Sequence, residues 1–135
     1  MTPAAGRRHL RGKSSHADAK GVVAIEYALL FPVLLAFVLG LIDAGRVVWT
    51  QATLSHAVDV AARCGAVDAV KCGEDDAVKD YVVARAAGVA LDAELIDVEV
   101  VECGEKVAVS HPVRLILPWT GKGTVMLKAE ACYPL

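Results

Sequence analysis

At 135 residues the chain is one domain's worth at most, and 56% of it is hydrophobic with a mean hydropathy of +0.48, above the usual apolar share of soluble domains. Charge is uneven: residues 1–21 hold five Lys+Arg against one acid, Asp18, while the remainder carries nine against 15, net −6. An acidic body without a basic patch excludes a nucleic-acid-binding surface, and the roughly 90 residues outside the apolar run allow only a small core.

The chain opens on MTPAAGRRHLRGKSSHADAKG, a polar leader over residues 1–21 with Arg7, Arg8, Arg11, Lys13 and Lys20. From Val22 to Ile42 there follow 21 residues with a single charge, Glu26. As a helix this run rises about 31 Å, matching a hydrocarbon core of about 30 Å. With Asp43 as its boundary, the segment 22–43 is expected to cross a lipid bilayer once. The basic leader keeps the N-terminus cytoplasmic and sends residues 44–135 across. An ordinary secretory signal has a shorter apolar region ending at a small-x-small cleavage site; here the run ends in LGLIDAGRVVW, without one.

Past Asp43 the helical period continues: Val47, Val48, Leu54, Ala57, Val58, Ala61 and Ala62 recur at spacings of three and four, giving an amphipathic helix over 44–63 that stops at Gly65. One helix from about residue 22 to 63 would be about 63 Å long. Residues 64–74 read as a loop and 75–88 as a second helix, with acids at its start and Val78, Tyr81, Val82 and Ala86 facing inward. Gly88 closes it. Over 95–133 three β-rich runs are separated by CGEK and PWTGKG, with alternation in Ile96, Val98, Val100, in Val113, Leu115, Leu117 and in Val125, Leu127, Ala129. The expected fold class is α+β: a long N-terminal helix, a second short helix and a small three-stranded antiparallel meander whose apolar face covers the helix stripe. Pro112 fits a sheet edge or a bulge better than a central ladder position.

Cys64, Cys72, Cys103 and Cys132 all lie on the side expected to be exported. An even count in a small oxidised domain reads as two disulfides with three possible connectivities. Spacing favours Cys64–Cys72, tying the helix end to the loop, and Cys103–Cys132, tying strand ends. The same spacings do not resemble paired zinc knuckles. His9 and His16 lie in the leader, His56 on the helix and His111 in a strand, and no HExxH, GxSxG or phosphate-cradling glycine loop is present. Glu74, Asp75 and Asp76 lack the alternating ligands of a calcium loop and read as a solvated helix start. Trp49 falls near the outer membrane interface, where it anchors the helix, and Trp119 lies in the PWTGKG turn. Nothing argues for catalysis, so no enzyme, metal or cofactor is expected.

Glu26 remains to be explained, since an acidic residue within a span costs free energy unless it reaches the interface or a partner. The peptide around it, AKGVVAIEYALLFPVLL, resembles the processing site of prepilins of the tight-adherence (Tad or Flp) pilus, a branch of the type IV pili. With its helical stem and β-rich end, the chain resembles the TadE-like minor pilins, or pseudopilins, of that system. Major Flp pilins are essentially a helix alone.

The resemblance implies cleavage by a membrane-bound prepilin peptidase after Gly21, so that Val22 becomes the new N-terminus and Glu26 and Tyr27 fall fifth and sixth. It implies a structural role in pilus assembly in the bacterial inner membrane. The partners it implies are that peptidase, the major Flp pilin, other minor pilins, the inner-membrane assembly platform and the lipid bilayer. Glu26 would pair with the α-amine of a neighbouring Val22, and Pro32 would permit a kink in the stem. Left uncut, the chain would be a single-pass envelope anchor whose disulfide-bonded domain binds a ligand or scaffolds a complex.

Overall fold

The computed structural model describes residues 16–118, 121 and 123–135, with side chains from Val23 onward. Most of the leader, and Trp119, lie outside the described residues. The fold is α+β, in the order α1 (His16–Val67), α2 (Ala69–Cys72), α3 (Asp75–Arg85), β1 (Ile96–Val101), β2 (Gly104–Arg114) and β3 (Thr124–Tyr133), with a 3₁₀ turn at Ala93–Leu95 before β1. Two compact units divide it, Met1–Ala36 and Phe37–Leu135.

In the first unit the described chain is the N-terminal part of α1. Its side chains from Val23 onward are exposed, including Ile25, Leu29, Leu30, Phe31, Val33 and Leu34. Leaving each such side chain in water forgoes roughly 1.5–3 kcal/mol of transfer free energy. The helix passes through Pro32, whose ring nitrogen has no hydrogen to donate to the preceding turn.

The second unit is organised by the helix stripe. Leu54, Ala57, Val58, Ala61 and Ala62 are all within 1% of complete burial, and they meet Val78 and Val82 from α3, Ala86 just past its end, and Ile96, Val107, Val109, Val113, Leu127 and Ala129 from the sheet in one core. Val48, grouped with this stripe on spacing alone, is 68% exposed; the covered stripe takes Val47 and leaves its neighbour outside.

The helix does not stop at Gly65. It runs to Val67, where the Asp68 N–H still donates to the Cys64 carbonyl at 2.8 Å. Gly65 has a packing role instead: a Cβ there would lie 2.9 Å from Cγ of Glu105 on β2. The expected 64–74 loop also contains α2, with Asp68 accepting from the Lys71 N–H at its start. In α3, Asp75 and Asp76 occupy the first turn and Arg85 the last, charges that complement the helix dipole. Arg85 also donates to the Tyr81 hydroxyl at 2.8 Å and lies 4.9 Å from the centre of its ring.

The sheet is an antiparallel meander in the order β1-β2-β3. β1 pairs with β2 from Ile96↔Val109 to Val101↔Gly104, and β2 with β3 from Glu105↔Tyr133 to Arg114↔Thr124. Pro112 is opposite Met126 of β3, three residues beyond the last β2 position that β1 reaches. Its missing N–H therefore interrupts no three-stranded stretch. Val107, Val109 and Val113 point inward at period two. On the outer face the Lys106 ammonium lies 3.2 Å from Glu99 and 3.7 Å from Glu130, and the Glu99 hydrogen bond, with both carboxylate charges, holds its pKa above the usual lysine range. Gly104 opens β2 at φ +121°, and a Cβ there would run into the carbonyl oxygen of Tyr133, so only glycine makes this turn.

Candidate functional site

Three features of the chain bear on function: the apolar stem, the junction just beyond it, and the disulfide frame. In the stem, Gly21 and Val22 lie in helical backbone, five and six residues into α1. Glu26 and Tyr27 are both exposed, Tyr27 at 70%, and Glu26 makes no ion pair with a described side chain. None of the apolar window of α1 is buried by the chain itself. A carboxylate is thus displayed on a helix whose remaining surface needs hydrocarbon or other apolar helices around it, which makes α1 a candidate membrane anchor.

The junction was not legible beforehand. Asp43, the acid that ends the apolar run, is 2% exposed. Its Oδ1 accepts the Ile116 N–H at 3.0 Å, and its Oδ2 accepts the N–H groups of Ile116 and Leu117 at 2.8 and 2.9 Å. Arg46 stands one turn on, its guanidinium 3.8 Å from Oδ1. The carboxylate satisfies two backbone donors of the β2–β3 connection that no strand pairs, so it anchors that connection to α1. An acid at the edge of an apolar run reads from sequence as a boundary marker; nothing local reveals partners 73 residues away.

The four cysteines form two bridges, Cys64–Cys72 and Cys103–Cys132. The first ties the last turns of α1 to α2. The second ties the β1–β2 turn to the end of β3, across the register that sets Lys106 against Cys132. Both cross-link a domain too small for a large core.

Other residues singled out by sequence scatter. His56 is exposed on α1. Glu74, Asp75 and Asp76 are exposed at the start of α3, and no group of three or more His, Cys, Asp or Glu is arranged to hold a metal among the described residues. His111 takes an inward position on β2 opposite Leu127, with its Nδ1 buried and lacking a hydrogen-bond partner. Trp49 is 70% exposed, one turn past Arg46. Burial pushes the Glu105 carboxyl above the usual carboxylate range, and the charge of Asp75 adds to that shift.

Against known families, residues 21–63 match the model described as TadE-like protein. The match begins at Gly21, covers Glu26 and Tyr27, and ends one residue past Ala62, the last of the buried stripe of α1. No curated protein matches the chain, and no solved structure does.

Proposed function

We propose, from the premise that residues 21–63 are a TadE-like segment, that this protein is a non-enzymatic minor pilin or pseudopilin of a Tad pilus, cut after Gly21 and used in pilus assembly. The observation that carries the reading is the coincidence of that match with a stem that displays Glu26 among exposed apolar side chains. Cleavage creates an α-ammonium on Val22. In a bundle of such stems that cation meets the Glu26 carboxylate of a neighbour, and the pair offsets the desolvation that either charge alone would suffer. The interaction exists only in one axial register, so it sets how stems stack.

The leader holds the N-terminus in the cytoplasm, the stem spans the inner membrane, and the disulfide-bonded domain faces the other side. On this reading the partners are the prepilin peptidase, the major pilin, other minor pilins and the assembly platform. Glycine at 21 serves the cut as well. It costs a helix interior about 1 kcal/mol relative to alanine, so the turn around the scissile bond opens more readily than it would with alanine there.

The test is the mass and N-terminal sequence of the protein recovered from membranes, with and without the cognate peptidase. A peptidase-dependent start at Val22 is expected, with Gly21→Ala leaving the precursor intact. Glu26→Ala should still be processed but enter pili poorly; normal incorporation of that variant would defeat the pairing argument. The continuity of α1 across Gly21 and Val22 favours one other reading, an uncut single-pass anchor. A chain that keeps its leader in both samples would establish it.

A further inference from the structure

An open cleft of about 720 Å³ lies beside α1 just past the apolar run, between the helix and the far end of β2, with Ile42, Arg46, Trp49 and Arg114 among the residues that line it. Two arginines sharing a cleft stand out in a body with a net charge of −6 beyond residue 21. Arg46 reaches Asp43 only at 3.8 Å, so the fold does not use up its donors. The side chain of Arg46 is 52% exposed, and its neighbour Asp43 already accepts three hydrogen bonds from backbone N–H groups. Arg114 is exposed and makes no ion pair among the described residues.

The position of the cleft selects its ligand. Ile42 is the last residue of the apolar run, and Arg46 follows it by four residues, about 6 Å of helix rise. A bilayer adds roughly 5–8 Å of polar headgroup on each side of its hydrocarbon core, so Arg46 stands at that depth. Helical side chains lean toward the N-terminus, which brings the Trp49 ring back over the same turn. Exposed tryptophan beside arginine, one apolar and the other a bidentate phosphate donor, is the chemistry of a lipid headgroup contact.

We infer that this cleft binds the phosphodiester of an anionic phospholipid in the leaflet at that end of the stem, with Arg46 and Arg114 on the phosphate and Trp49 against the glycerol. The inference rests on the reading of α1 as a membrane span. A lipid held there would fix the depth of the junction in the bilayer.

The experiment uses the full chain in nonionic detergent, titrated with short-chain phosphatidylglycerol and followed by native mass spectrometry. A 1:1 complex is expected, weakened about fivefold by Arg46→Gln and about fivefold by Arg114→Gln, and unchanged by Lys71→Gln on an exposed site elsewhere. Gly45→Phe is a second variant that keeps every charge: Gly45 lines the cleft and a Cβ there meets nothing within 4 Å, so the ring fills the cleft without displacing the core, and binding should fall as well. Equal binding by wild type and all three cleft variants would overturn the inference, as would displacement of the lipid by inorganic phosphate at equal concentration, which would mark a soluble-anion site. Flotation with phosphatidylcholine vesicles separates the two levels. A chain that stays out of vesicles overturns the membrane reading and the inference together, whereas one that floats but shows no arginine dependence overturns the inference alone.

Discussion

Removing the Cys103–Cys132 bridge should destabilise the disulfide-bonded domain by an amount set mainly by chain entropy. The bridge spans a sequence separation of 29, and the loop-closure relation gives about 3.6 kcal/mol for a loop of that size. Both cysteines are exposed, so replacing them with alanine deletes little buried surface, and the loss is that of the cross-link itself. Against a total stability of roughly 5–15 kcal/mol for a small domain, this is a large share. The Cys64–Cys72 bridge, with a separation of 8, is worth about 2.5 kcal/mol by the same relation, although its removal also thins the core at Cys72, which is 3% exposed. The assay is guanidinium unfolding of the oxidised full chain and of the Cys103→Ala/Cys132→Ala variant in the same detergent, followed by near-ultraviolet circular dichroism. Besides a lower midpoint, the variant should show a steeper denaturant dependence, because its unfolded chain expands further. A loss below about 1 kcal/mol with an unchanged slope would refute the reasoning, and would mean that the β2–β3 ladder alone holds the sheet's end.

Asp43→Ala removes the acceptor for the Ile116 and Leu117 N–H groups; hydrogen exchange at those two amides should accelerate by at least tenfold while the amides of the β2–β3 ladder keep their protection, and unchanged exchange would show that the carboxylate does not hold the connection. Glu105 gives a pH signature. Its folded carboxyl binds protons more tightly than the ordinary value near 4.5, so the native state keeps a proton that the unfolded chain has lost, and stability declines as pH rises through the interval between the two values. Glu105→Gln should therefore raise the melting temperature at neutral pH and lose that advantage below about pH 4; an advantage of equal size at both pH values would assign the effect to packing.

How legible this protein is from its sequence depends on how local the physics is. The 3.6-residue period of Leu54, Ala57, Val58, Ala61 and Ala62 and the two-residue period of Val125, Leu127 and Ala129 are carried by neighbours in the chain, and both the helix and the last strand of the meander could be read from them. The disulfides were readable because one loop is short and the other joins the ends of adjacent strands. Gly65 misled because glycine has two uses: it ends helices, and it admits a close neighbour. Only Glu105, 40 residues on in the chain, reveals which use applies. Asp43 and the arginine cleft were invisible for the same reason, since their partners meet only once β2 has been laid beside α1.

One small contact limits strand pairing at the edge of the sheet. Gln51 on α1 donates from Nε2 to the backbone carbonyl of Lys128 in β3 at 2.9 Å, so a helix side chain occupies an acceptor on a strand that has β2 on only one side. A free strand edge is an invitation to pair with a copy of itself. With that carbonyl taken, this edge of β3 offers a poor template for strand-to-strand growth, because the position a second strand would have to pair with is already bonded within the chain.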